Sequence, residues 1–216
     1  MTRLEKIGKL QLKARKQSAK RGQRRDELAS AAIDALKQLG YARTSLRDIA
    51  ENSGVSVGIL HYYFDDKTDL IKYCVRKYKA DFVSGLDAVL EGHPESASIA
   101  EAFAQGLSDT IRRGAQTHRL WYDIRAQALF DAGFSDVVDE IEAELVALVS
   151  RLLRRLDVPQ DQALAGYMSL DGAFRYYLHR HLAGDDTACD LFKIHVLNQL
   201  AAMAVLAEAK SVPRQS

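Results

Sequence analysis

TSLRDIAENSGVSVGILHYYFDDK, residues 44–67, decides how this chain folds. Thr44 or Ser45 is placed to cap a helix in which Leu46, Ile49 and Ala50 recur on one side. That helix ends near Asn52, where Ser53, Gly54 and Val55 make a tight turn that calls for a backbone free of a side chain at Gly54. Ser56 then caps a second short helix over residues 57–64. Asp65 and Asp66 open a third, their charge opposing the positive end of its dipole. Two short helices joined by a glycine corner form the unit that lays one helix in a DNA major groove. Ile49 and Val55 fill the inside of the corner. Ser56, Val57, Gly58 and Ile59 let the second helix approach base edges, and His61, Tyr62 and Tyr63 offer donors and flat rings to the phosphate rim.

Over roughly residues 24–72, spacing and residue types resemble the TetR family of regulators throughout. The resemblance implies that Ser45, Leu46 and Arg47 begin the helix that approaches the DNA backbone. It also implies that Val57, Gly58 and Ile59 face bases, and that His61, Tyr62, Tyr63 and Lys67 meet phosphates or groove edges. Two positions depart from the usual pattern: many relatives carry Tyr at the place of His61 and a polar or basic residue at that of Val57. An apolar Val57 would read a thymine methyl group. Leu46, Ile49, Leu60 and Phe64 also suit a hydrophobic core; the core role is preferred for the last three and left open for Leu46.

Working outward, Leu28, Ala31, Ala32, Ala35, Leu36 and Leu39 repeat at helical spacing over residues 24–39, and Gly40 supplies the stop. A long helix is expected over 67–90, with Leu70, Ile71, Cys74, Val75, Tyr78 and Phe82 on one stripe, ended by Gly92, His93 and Pro94. Further helices are expected over 98–115, 119–131, 135–156, 160–182 and 187–209. The breaks fall at Gly114, Gly133, Asp157 to Pro159 and Gly184 to Asp186. With only three prolines and no strand pattern, the fold class is all-α. The expected organisation is a basic N-terminal arm over 1–22, a three-helix helix-turn-helix DNA-binding domain over 23–68, and a larger helical domain for effector binding and dimerisation over 69–210.

Charge supports a polyanion at one end. The first 25 residues carry ten Lys and Arg against Glu5 alone, a net +9 that leaves −8 on the rest. Within that arm Leu4, Ile7 and Leu10 recur at helical spacing, so it can form a basic amphipathic helix. Cys74 and Cys189 lack any metal-ligand or disulfide spacing and read as buried free thiols of a reducing compartment. No signal peptide is read at the start, and the longest apolar run, about 200–207, is short for a bilayer. A cytoplasmic protein without membrane association is therefore expected.

The later helices bear on partners. Phe103, Leu107, Trp121, Tyr122, Ile124, Leu129, Phe130 and Phe134 form an aromatic-rich middle, and Arg125 sits among them in need of Asp123, Asp131 or an anionic ligand. The run LWYDIRAQALFD, residues 120–131, resembles the BetI-type C-terminal subgroup. In the resembled family this part binds a small effector and forms the dimer. The candidate pocket residues are Phe103, Trp121, Tyr122, Arg125, Phe130, Phe174 and Tyr177. His179 and His181 are two apart and point to different sides of a helix, so no metal site is expected; His118 and His195 read as polar-face or interface residues. Leu191, Ile194, Val196, Leu197, Leu200, Ala201, Ala204 and Val205 cover more than one face of the last helix. That excess, with the helix before it, points to a homodimer through about 160–182 and 187–209.

Gly54-Val55-Ser56-Val57-Gly58 also matches the G-x-S-x-G elbow of serine hydrolases. That elbow needs a strand entering and a helix leaving, whereas a helix precedes it here, so Ser56 reads as a cap and no catalytic residue is assigned. The functional expectation is a sequence-specific transcription regulator, a ligand-responsive repressor that binds a palindromic operator as a homodimer and needs no cofactor. The alternative is an all-helical protein-interaction module that does not bind DNA.

Overall fold

The computed structural model describes the backbone of residues 3–93 and 96–211, and the side chains of 13, 15–93 and 98–207. The arm positions Leu4, Ile7 and Leu10 lie outside the described side chains, and the tail after 211 lies outside the described residues. Eight α-helices are found among the described residues and no strand: α1 (Arg3–Leu39), α2 (Leu46–Asn52), α3 (Val57–Tyr63), α4 (Lys67–Gly92), α5 (Ser96–Gln127), α6 (Ser135–Arg155), α7 (Ala163–Leu182) and α8 (Ala188–Ser211). Single 3-10 turns precede α6 and α7. The chain divides into two compact units, Met1–Val75 and Arg76–Ser216, with the division falling inside α4.

In the first unit α1 is longer than the 24–39 expected from apolar periodicity. Between Arg3 and Leu39 the sequence holds no proline, and its two glycines before the stop, Gly8 and Gly22, are tolerated in a helix. The second half of α1 buries Leu28, Ala29, Ala32 and Ala35 against Ile49 and Ala50 of α2, Leu60 and Phe64 around α3, and Leu70 and Cys74 of α4. Alanines on α1 let α2 pack closely. Side chains fix where each short helix starts. The Ser45 Oγ accepts from the Asp48 N–H at 3.2 Å, while the Ser45 N–H donates to the Asp48 carboxylate at 2.7 Å, a reciprocal capping box. Ser56 caps α3 by accepting from the Ile59 N–H at 3.3 Å, and Asp66 accepts from the Asp69 N–H at 2.8 Å at the start of α4. The chain stops α1 at Gly40 with φ +76° and turns between α2 and α3 at Gly54 with φ +63°. Ser56, the serine of the hydrolase-like pentapeptide, is thus a helix cap preceded by a helix.

The second unit packs α5 to α8 with the later turns of α4. Trp121, Phe103, Phe134 and Phe192 are its largest buried side chains. Arg151 holds Asp87 through two bonds of 2.8 and 2.7 Å, and Arg155 donates to the carbonyls of Leu90 and His93, so two arginines of α6 tie down the end of α4. The buried Ser108 hydroxyl donates to the Cys189 carbonyl at 2.8 Å, linking α5 to α8.

Three expectations change here. The break foreseen at Gly114 is a kink inside α5, where Gly114 alone leaves helical geometry (φ −134°, ψ 19°). The helix foreseen to Asp131 ends at Gln127. Asp131 instead caps the following 3-10 turn by accepting from the Gly133 N–H at 2.8 Å. And α8 over Ala188–Ala207 is long and apolar enough by composition to cross a membrane, which a reading confined to its most apolar run missed. One side of that helix is committed to the protein core through Phe192, Val196 and Leu200.

Candidate nucleic-acid interface and internal cavity

Leu60 is the only fully buried residue of α3, and Val57 and Tyr63 lean on the same core. That anchoring turns Gly58, Ile59, His61 and Tyr62 outward; Tyr62 is 66% exposed. A Cβ at Gly58 would meet only the Ser56 hydroxyl, at 3.8 Å, so the helix surface there is low and open. Of the sequence candidates, Ser45, Arg47, Gly58, Ile59, His61 and Tyr62 share the solvent side. Leu46, Val57 and Tyr63 are half-buried against the core.

Lys67 is divided between two tasks. Its Nζ donates to the Tyr41 carbonyl at 2.8 Å and lies 4.2 Å from the centre of the Tyr41 ring, and partial burial holds its pKa below the usual lysine value. It therefore braces the turn between α1 and α2 while keeping further N–H donors. Ser45 is likewise committed: its hydrogen bonds hold the Asp48 carboxyl below the usual carboxylate range.

The basic arm meets α3 in a way the sequence did not signal. A surface groove runs between α1 and α3, lined by Lys20, Arg21 and Arg24 on one side and Tyr62 and Tyr63 on the other. The Arg21 guanidinium stands 5.5 Å from the Tyr62 ring. Arg25, one turn on, is drawn inward instead, over Phe64 and Tyr73 at 4.8 and 4.4 Å and onto Asp69 at 3.3 Å. Cations and phenols along one groove suit a phosphate backbone.

The second unit holds a small, partly open cavity of about 60 Å³. Its walls include Phe82 and Leu86 of α4, Phe103, Leu107 and Tyr122 of α5, Leu145, Leu148 and Val149 of α6, and Tyr167, Leu170 and Phe174 of α7. Two ionisable residues, Lys79 and Asp171, also line it. Asp171 accepts from the Tyr122 hydroxyl at 2.9 Å and from Arg125 at 2.5 Å, and Arg125 also pairs with Glu142. The partners foreseen for Arg125, Asp123 and Asp131, are thus replaced by acids from α6 and α7. Lys79 is only 4% exposed, and its Nζ lies over the rings of Trp121, Phe82 and Tyr78 at 4.7, 4.9 and 5.4 Å. Burial lowers its pKa to about 7, partly offset by Asp171.

Phe103, Tyr122 and Phe174 from the expected pocket reach this cavity; Trp121 stands behind Lys79. Arg125 acts through Asp171, and Tyr177 packs on Phe192 and His195 away from it. Phe130, beyond the end of α5, is 88% exposed and takes no part. His118 is not a polar-face residue: it is buried among Phe82 and Phe174 and hydrogen-bonded to the Tyr78 hydroxyl. Burial and then the nearby Lys79 push its pKa down to about 3, so it is neutral.

Comparison with known proteins fits this geometry. A family model described as bacterial regulatory proteins, tetR family, matches residues 28–74. The chain is 27% identical over 150 residues to the transcriptional regulator BetI of Escherichia coli, covering 67% of this chain and 75% of that protein. It is 26% identical over 103 residues to the transcriptional activator FasR of Mycolicibacterium smegmatis, covering 48% of this chain and 47% of FasR. Its fold is shared with a TetR transcription regulator from Haloarcula marismortui at a TM-score of 0.71, with 20% identity over 84% of this chain and 98% of that one.

Proposed function

We propose, from the premise that this chain is a DNA-binding transcription regulator of the TetR family, that it binds a palindromic operator as a homodimer and releases it when a small molecule enters the second unit. The observation that carries the DNA contact is the outward face of α3, where Gly58, Ile59, His61 and Tyr62 are exposed to solvent while Leu60 holds the helix to the core. In this reading Val57, Gly58 and Ile59 approach base edges. Ser45, Leu46, Arg47, His61, Tyr62, Tyr63 and Lys67 bind phosphates or groove edges. The arm over 1–22 extends the backbone contact along the groove at Arg21 and Tyr62. The reading head is assigned to 23–68 and the effector and dimer part to 69–210.

Dimerisation through α7 and α8 is supported by their surfaces. Leu164, Met168 and Tyr176 on α7, with Leu191, Ile194, Val205 and Leu206 on α8, are large apolar side chains left in solvent. Ala201, Ala202 and Gly172 beside them permit close approach. A partner copy covers such a face where water would not. The apolar composition of α8 follows from burial on two sides, core and partner, which is why we assign the protein to the cytoplasm. Effector release is a population shift, limited by the difference in the effector's affinity for the two conformations. Repression is the reading taken; FasR, an activator by name, marks the other direction of control within the relatives.

The test is selection of bound fragments from genomic DNA at two salt concentrations. A palindromic site whose affinity falls steeply with salt is expected, because each neutralised phosphate releases counterions. Weak binding without sequence preference would overturn the reading in favour of an interaction module. Within that assay Lys67→Ala is expected to weaken binding equally for all sequences and to reduce the salt slope by about one unit. An unchanged slope would confine Lys67 to bracing Tyr41.

A further inference from the structure

Lys79 is buried without a carboxylate in contact. Its ammonium has three aromatic rings and no hydrogen-bonding partner among the described residues, and the nearest acid that lines the same cavity, Asp171, already serves Tyr122 and Arg125. Tyr167, on the opposite helix, lines the cavity too, and its hydroxyl is buried with no partner. Two unused donors therefore border a cavity whose remaining walls are mainly Phe, Leu and Val. Leaving buried polar groups unpaired costs about 1–3 kcal/mol each, more for a charge, so such groups mark a place where a ligand completes the bonding.

The unpaired donors on the walls choose the sign of that ligand. Asp171 and Glu142 share Arg125, His118 is neutral, and a charged Lys79 brings these groups to a net charge of zero. Lys79 is nevertheless the charged group of this set that touches only aromatic rings, so an acceptor is what its ammonium lacks. An organic cation would be repelled by Lys79 and would compete with it for the same rings.

We infer that this cavity takes a small organic carboxylate, its apolar body against Phe103, Leu107 and Leu148 and its anionic head bonded to the Lys79 ammonium and the Tyr167 hydroxyl. This rests on the ligand-responsive reading above and names the chemistry of its effector. The carboxylate stabilises the charged form of Lys79, so binding takes up a proton when the lysine starts neutral. The titratable groups around Lys79 are Tyr78 on its own helix, His118, Tyr122 and Arg125 on α5, and Tyr167 and Asp171 on α7, while Glu142 of α6 stands behind them, paired with Arg125. Burial keeps the tyrosines protonated and His118 neutral, so Lys79 is the group that titrates near neutrality. Affinity is thus full below a pH of about 7 and falls about tenfold per pH unit above it, until the raised pKa of the complex is reached.

Trp121 is the chain's single tryptophan and lies under the Lys79 ammonium, so its emission reports the site. Hexanoate, the neutral hexanamide and the cation hexyltrimethylammonium are titrated against the full-length protein, short chains being chosen for a small cavity. Hexanoate is expected to change the emission saturably and to bind at least about tenfold more tightly than either analogue near pH 6, a margin of one charge-assisted bond. Lys79→Met is expected to remove that preference while leaving hexanamide within about threefold, and Tyr167→Phe to weaken hexanoate by a few-fold. Should Lys79→Met fail to fold by circular dichroism, the pH profile of the unaltered protein and Tyr167→Phe decide. Equal or tighter binding of hexanamide or of the cation, a hexanoate affinity flat across neutral pH, or no saturable change with any probe overturns the inference. Operator binding is followed in parallel. Lys79-dependent hexanoate binding that leaves operator affinity unchanged upholds the site and overturns the ligand-responsive reading. Release of operator by the cation alone does the reverse.

Discussion

Met168→Glu together with Ile194→Glu is expected to leave the protein monomeric at micromolar concentration and to weaken operator binding by at least about a hundredfold. Met168 is 65% exposed and Ile194 54%, so neither supports the packing of its own subunit, and substitution at such positions changes folding stability by only about 0.5 kcal/mol. In a dimer the same positions are central to an apolar face on α7 and α8, where an unpaired carboxylate costs several kcal/mol, about 3–5 where a buried charge is left uncompensated. The effect on DNA follows from symmetry. A monomer reads one half-site, which forfeits most of the gap between specific affinities of about 10⁻⁸–10⁻¹¹ M and non-specific ones of about 10⁻⁴–10⁻⁶ M. Sedimentation velocity and operator titration of the double variant measure the two halves of this expectation. A variant that sediments like the parent would place the subunit contact elsewhere and leave the apolar face of α8 without an explanation.

The first unit was legible because its signals are local. Ser45, Ser56 and Asp66 each cap a helix within three residues, and Gly40 and Gly54 take the positive φ that their turns demand. Such features are written into consecutive residues, so spacing alone recovers them. Helices α6, α7 and α8 were legible through apolar periodicity and the breaks at Pro159 and Gly184. What spacing could not supply was the meeting of distant residues. Arg125 pairs with residues 17 and 46 positions away, and no local pattern distinguishes those acids from Asp123 or Asp131. Phe130 was misplaced for a different reason: the aromatic run was extended across the true end of α5, and the Asp131 cap carried Phe130 off the helix. Lys79 did leave a trace. It occupies the same helical stripe as Ile71, Val75, Phe82 and Leu86, all but one of them buried, and a lone lysine at such a position is out of keeping with a solvated face. His118 and Lys79 share one cause: each lies on a stripe whose burial comes from helices far along the chain.

Leu60→Ala is expected to abolish operator recognition at physiological temperature while the second unit stays folded. A seven-residue helix such as α3 is far below the about 12–15 residues at which a helix becomes even marginal alone, so packing must hold it. Leu60 is the only residue of α3 that is fully buried, and it closes a core made with Leu28, Ala32, Ile49 and Phe64. Truncating a leucine in such a site costs about 2–5 kcal/mol, the transfer of the side chain plus the cavity it leaves. The small first unit has little reserve against that loss, since whole domains are stable by only about 5–15 kcal/mol. The Ser56 cap and the Gly54 corner remain, but they set the geometry of a helix that no longer has an anchor. Trp121 belongs to the second unit, so denaturation followed by its emission is expected to keep the parent midpoint, whereas circular dichroism gains an earlier transition. Equal displacement of both signals would mean that the two units unfold as one. Retained operator affinity would mean that Val57 and Tyr63, the half-buried neighbours, suffice to hold the reading helix.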